Sequence, residues 1–265
     1  MRIRQFLKFN LFVGFIFTSF HSNVHSKSYV RDYFVPEPLY FDLVRNLGSK
    51  KGELETNVLS KFHPKHGAKH AAEVEYTFLD NHAIEVEFPM EGNKVTEAKL
   101  AYQATFGTTF NNRYMHGFQT ISESSLSDEG HTLSALYLSA FKFNEKIGIL
   151  IMNGYQNYSG MSYLSGRSLD GSYETFPNPA FKNKVRSDRY LFNANVFYDY
   201  SETWIYGIEI NIRTNFKEER EYVVLPNIKY HLNQKTNIHF GFGLNKELEE
   251  KNLSPIFVMR AVVEM

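Results

Sequence analysis

Residues 204–213 read Trp204-Ile205-Tyr206-Gly207-Ile208-Glu209-Ile210-Asn211-Ile212-Arg213. In an extended chain successive side chains point to opposite faces. Trp204, Tyr206, Ile208, Ile210 and Ile212 therefore share one face, and Gly207, Glu209, Asn211 and Arg213 share the other. A strand with an unbroken apolar face and a charged opposite face separates two different media. Residues 238–245 repeat the pattern, with Ile238, Phe240, Phe242 and Leu244 against His239, Gly241, Gly243 and Asn245.

The same alternation recurs on either side of these two, and about twelve such stretches fill the chain from Glu53 to Met265. The cleanest hairpin sets Ala72, Val74, Tyr76 and Phe78 against Ile84, Val86 and Phe88 across an Asp80-Asn81 turn. The stretch Ala98, Leu100, Tyr102, Ala104 and Phe106 also alternates strictly, which favours a strand over a helix. Near 132–158 both faces are apolar, so the inward side is not assigned. Connectors alternate too. Links at 80–82, 107–112, 144–146, 201–202 and 232–235 are short, whereas 63–69, 122–131, 159–188, 216–221 and 246–253 are longer and polar. An even number of strands with short links at one end is the pattern of a membrane barrel. The fold expected is all-β, a transmembrane antiparallel up-and-down barrel of about twelve strands.

The N-terminus supports export. Arg2, Arg4 and Lys8 precede the apolar run Phe9 to Phe20, which is too short for the roughly 20 residues of a spanning helix. Residues 1–26 read as a signal peptide and 52–265 as the barrel domain. Between them, 27–51 is expected to be an irregular periplasmic segment. Pro36 and Pro38 break it, and Leu39, Leu43, Val44 and Leu47 follow at helix-like spacing.

Composition removes several function classes. The chain has no cysteine, so thiol chemistry and disulfides are excluded. Its formal charge is zero, which gives no steering toward nucleic acid. Aromatic residues make up 16%, almost all Tyr and Phe, as interfacial girdles require.

Some of these residues carry a resemblance. Glu85-Val86-Glu87-Phe88-Pro89 after the Asp-Asn turn, Leu100-Ala101-Tyr102, and the turn Lys142-Phe143-Asn144-Glu145-Lys146 resemble the outer-membrane barrels grouped with meta-pathway phenol-degradation proteins. That resemblance implies transport of a small, apolar or aromatic solute. The last strand, Phe257, Met259, Ala261, Val263 and Met265, resembles the signal read by the barrel assembly machinery, although it ends in Met rather than an aromatic.

Charges on the lipid face cost roughly 2–4 kcal/mol for Arg or Lys near the midplane. The candidates expected to face the lumen are therefore Glu73, Glu75, Glu85, Glu87, Lys99, Glu209, Arg213, Lys229 and Arg260. They would either pair to fill a narrow interior or bias it toward cations. His63, His66 and His70 surround Pro64 and Gly67 and read as a solvated outer loop rather than a metal site. His116, Ser122, His131 and Ser159 include the types a rim hydrolase needs, but no motif links them. No catalytic residue, metal or cofactor is assigned. The reading is an outer-membrane porin or transporter, in contact with outer-membrane lipid and a small solute. A lipid-modifying barrel enzyme and a closed structural barrel are the alternatives.

Overall fold

The computed structural model describes residues 35–265 except Asp42, 65–66, Asn111, 127–129, 164–165, 168–172, 175–181, 216–219 and 247–251. The expected signal peptide lies outside the described residues. Among the described residues twelve long strands form the barrel: β1 (Leu54–His63), β2 (Gly67–Leu79), β3 (His82–Glu91), β4 (Glu97–Thr109), β5 (Tyr114–Ser125), β6 (His131–Lys142), β7 (Ile147–Tyr163), β8 (Lys182–Asp199), β9 (Trp204–Asn215), β10 (Arg220–His231), β11 (Thr236–Lys246) and β12 (Ser254–Glu264). Each pairs antiparallel with its chain neighbours. β12 pairs with β1 from Glu264↔Glu55 to Phe257↔Phe62, so the sheet closes and has no free edge. No helix occurs among the described residues.

Turn chemistry explains the short-link end. Asn81 takes a positive φ of 67° in the β2–β3 turn, which Asn tolerates through local hydrogen bonding. The β10–β11 turn is closed by Asn233 Oδ1, which accepts the Lys235 amide at 2.8 Å. At the other end the links are shorter than expected. β1 and β2 run to His63 and from Gly67, so only 64–66 join them. The 159–188 connector is also largely strand, because β7 and β8 pair up to Tyr163↔Lys182. The difference in connector length therefore rests mainly on 164–181 and 247–253.

Period-two alternation decides both surfaces. Outward, Val74, Leu100, Leu133, Val196, Ile208 and Phe242 are exposed, the last at 66%. A continuous band of such groups around a closed barrel would be costly in water at about 25 cal/mol per Å², and lipid removes that cost. Aromatic clusters stand toward the short-turn end, including Trp204–Tyr230 with ring centroids 4.4 Å apart and Tyr200–Tyr206 at 5.8 Å. Inward, β9 presents Ile205, Glu209 and Asn211, while β11 presents Asn237, His239 and Asn245, all buried.

The interior is not empty. Residues 35–41 and 43–49 form no strand or helix, and most of their side chains are buried inside the barrel. Val35 packs beside Gly148 near the short-turn end of β7. The backbone of residues 39–41 reaches Glu209 in mid-strand. The chain then turns back, and the Ser49 carbonyl accepts the Asn81 amide at 2.8 Å in the β2–β3 turn. The helix suggested by the Leu39–Leu47 spacing does not form. Those apolar groups are instead the plug side of the core.

Candidate functional site

The inner segment is held by three kinds of contact. The first is apolar. Leu39, Leu43, Val44 and Leu47 are each no more than 3% exposed. Burial of such side chains is worth about 1.5–3 kcal/mol each relative to water. Leu43, Val44 and Leu47 join one cluster with Leu136, Leu138, Leu150 and Met152 of β6 and β7. Leu39 joins Val223, Leu225 and Val258 on the other side. This explains why β6 and β7 are apolar on both faces: one faces lipid and the other faces the segment. A Cβ built on Gly241 would stand 2.8 Å from Leu39 Cδ2, so the bare backbone there is what admits Leu39.

The second kind is polar contact with the segment's backbone. The Glu209 carboxylate accepts the amides of Leu39 at 3.0 Å, Tyr40 at 2.9 Å and Phe41 at 2.7 Å. Three successive N–H groups converging on one anion form a nest, a concave seat for negative charge. Gln103 acts from the opposite wall. Its Nε2 donates to the Arg45 carbonyl at 2.7 Å, and its Oε1 accepts the Arg45 amide at 3.4 Å. These side chains satisfy backbone groups that a buried irregular segment would otherwise leave unpaired.

The third kind is ionic. Glu55, Glu75 and Glu85 stand directly opposite one another on three adjacent strands, as do Glu73 and Glu87. Facing like charges destabilise a sheet, so this wall needs a counter-charge. Arg45 of the inner segment supplies it. Its guanidinium bonds Glu55, contacts Glu53 at 3.2 Å and lies 3.7 Å from Glu75. Lys99 bridges Glu85 at 2.9 Å and Glu87. Glu37 completes a group with Glu55 and Glu75 whose ligand-capable oxygens lie within 4.8 Å of one another. Oxygens so placed could hold a hard cation, but the Arg45 guanidinium already stands among them.

Of the residues expected at the lumen, Glu73, Glu75, Glu85, Glu87, Lys99, Glu209, Lys229 and Arg260 are buried in the interior, Arg260 completely. Glu75 and Glu85 gather with Arg45 and Lys99 on the β1–β4 wall. Glu209 stands apart on β9 and grips the inner segment. Arg213 is separate again, half-exposed at the long-loop rim and 3.3 Å from Glu221.

The histidines differ from expectation. His63 and His70 belong to β1 and β2 rather than to a loop, and His66 lies outside the described residues. His70 Nδ1 is 2.9 Å from Ser60 Oγ, a spacing that nucleophilic catalysis could use. Ser60, however, is only 1% exposed, so its hydroxyl cannot meet an ester carbonyl. His131 pairs with Ser124 at 3.1 Å, with no orienting carboxylate or amide behind the ring among the described residues. His116 instead contacts the Tyr137 hydroxyl at 3.0 Å.

On the long-loop side of the plug a cavity of about 430 Å³ remains. Its floor is Tyr40 and Phe41, and its walls include Arg189, Asn193, Asn211, Arg213 and Glu221 of β8–β10. Strand periodicity does not reveal this chamber, because its floor comes from a segment with no period.

Residues 34–163 match the family model described as HAEPLYID-like. Those eight letters, read as amino acids, align with Val35-Pro36-Glu37-Pro38-Leu39-Tyr40-Phe41-Asp42 and share Glu, Pro, Leu, Tyr and the final Asp. The matched span thus opens on the part of the inner segment that Glu209 holds. The sequence has no match among curated proteins. In fold the chain is similar to the NanC porin, with a TM-score of 0.59 at 9% identity over 78% of this chain and 98% of that one. It is also similar to an outer-membrane channel from Pseudomonas putida F1 (TM-score 0.56, 10% identity, 85% and 100% covered). The KdgM porin scores 0.52 at 11% identity, covering 79% and 98%. At these identities the likeness is one of fold. The chain has the closed twelve-stranded barrel of outer-membrane channels. The meta-pathway phenol-degradation grouping is not confirmed by these matches.

Proposed function

We propose that the protein is an outer-membrane channel for a small solute, with the inner segment 35–49 as its gate. The observation that carries this reading is the way the segment is held. It is not a strand of the sheet, and side chains of the wall grip its backbone at Glu209, Gln103 and Gln119. Such contacts can be exchanged for water without unfolding the barrel. On this reading the short-turn end faces the periplasm, and a solute enters the cavity above Tyr40 from outside. Withdrawal of the segment then opens the way through. The lining mixes apolar and aromatic side chains with two arginines, three asparagines and a glutamate, which suits a solute that carries polar groups on an apolar skeleton.

A closed structural barrel is the competing reading, favoured by the plug and the ion pairs that fill the short-turn half. Liposome swelling separates the two. Reconstituted protein should admit small polar solutes, and a variant with a weakened plug should admit them faster. Impermeable liposomes in both cases, with the barrel shown to be folded, would leave the structural role.

A further inference from the structure

The cavity over Tyr40 and Phe41 has a chemistry of its own. Arg189 and Arg213 flank a single carboxylate, Glu221, at 3.9 and 3.3 Å. Two more cations lie over its aromatic rings. Lys61 Nζ is 4.1 Å from the centroid of Tyr40, and Lys246 Nζ is 5.7 Å from that of Tyr222. Two guanidinium groups share one carboxylate in the lining, and a guanidinium shared with one carboxylate keeps donors for another. The acidic row of Glu55, Glu75 and Glu85 is on the opposite wall, toward the short-turn end and beside Arg45.

Two buried amides complete the lining. Asn193 and Asn211 are 3% and 7% exposed, and both line the cavity. Asn193 Nδ2 and Asn211 Oδ1 have no hydrogen-bond partner among the described residues. A buried amide group without a partner has lost its bonds to water and gained none in return. One spare donor beside one spare acceptor is the complement of hydroxyl groups, which both donate and accept. Tyr40 and Tyr222 add flat apolar faces of the kind that C–H surfaces cover.

We propose that this chamber is a binding site for a small hydroxylated carboxylate, of the sugar-acid class. Its carboxylate meets Arg189 and Arg213, its hydroxyls pair with Asn193 and Asn211, and its carbon skeleton lies against Tyr40. The volume of about 430 Å³ is within the roughly 300–1,000 Å³ of small-molecule sites. An aromatic hydrocarbon would leave Asn193 Nδ2 and Asn211 Oδ1 without a partner. The inference rests on the channel reading, since it names the class of solute that would gather above the gate.

The test is calorimetric titration of the full-length folded protein in detergent with glucuronate, glucose and benzoate, alongside uptake of the same three into liposomes. Glucuronate should bind at least tenfold more tightly than either of the others. Arg213→Gln and Asn211→Leu, each verified as folded by its mobility shift on boiling, should each weaken it about tenfold or more. Equal affinity for glucose and glucuronate, preference for benzoate, or no binding by the folded protein would overturn the site. Glucuronate binding without uptake of any probe would keep the site and remove the channel reading. Uptake without glucuronate binding would do the reverse.

Discussion

The carboxylate of Glu209 accepts the backbone amide of Tyr40 at 2.9 Å, joining residues 169 positions apart. The amides of Leu39 and Phe41 meet the same group, so one side chain of the wall fixes the top of the inner segment. A segment held at its top by one carboxylate and lower down by ion pairs and apolar packing can be loosened at each point separately.

Arg45 is the segment's ionic anchor. Its removal leaves Glu55 and Glu75 facing each other in the interior without their guanidinium. Breaking a buried pair in this way costs about 3–5 kcal/mol. Arg45→Ala should lower the unfolding temperature in detergent markedly, and Arg45→Lys should recover only part of the loss, because an ammonium lacks the planar fork. An unchanged temperature for Arg45→Ala would show that the acidic row needs no help from the segment.

Gly241 leaves the space that Leu39 fills, since a Cβ at this position would lie 2.8 Å from both Leu39 Cδ2 and Leu225 Cγ. Gly241→Leu should overpack this contact by about 1–3 kcal/mol and loosen the segment. Limited proteolysis should then cut within 35–47 faster than in the wild type. Adding Leu39→Ala should restore protection. A double variant cut as fast as the single one would place the effect in the sheet rather than in the plug.

Trp204 is the chain's one tryptophan, 39% exposed on the outward face beside Tyr230 near the short-turn end. Amphipathic rings at that level suit the membrane interface. Fluorescence in liposomes should be quenched more by a quencher near the lipid headgroup than by one at the bilayer centre. Strong quenching by aqueous iodide instead would rule out a lipid-facing Trp204.

The barrel is legible in the sequence because its rule is local. Alternation in 204–213 and 238–245 needs only neighbouring residues to reveal both faces, and the closed sheet reproduces it. The plug is not legible, for two physical reasons. Pro36 and Pro38 prevent a periodic structure, and the segment's partners, Glu209 and Gln103, lie far away in the chain. The one available sign is in 132–158, where both faces are apolar. An apolar inner face on a membrane barrel needs an apolar occupant, and Leu43, Val44 and Leu47 are that occupant. The ends of β7 and β8 are hidden because Gly, Ser, Asn and two prolines interrupt the alternation in 159–188, although the backbone pairs as far as Tyr163 and Lys182.

If the inner segment closes the barrel, Glu209 is its latch. Each amide bonded to the charged carboxylate is worth about 1.5–3 kcal/mol, and the loss of only two such bonds at the lower figure, about 3 kcal/mol, would already shift a closed–open equilibrium roughly a hundredfold. Single-channel recording in planar bilayers reads that equilibrium itself. Wild-type protein should show long closures with rare openings, and Glu209→Ala should raise the open probability strongly without changing the conductance of the open level. A wild-type channel that stays open, or a Glu209→Ala channel with unaltered closures, would show that the segment is not a gate held by Glu209.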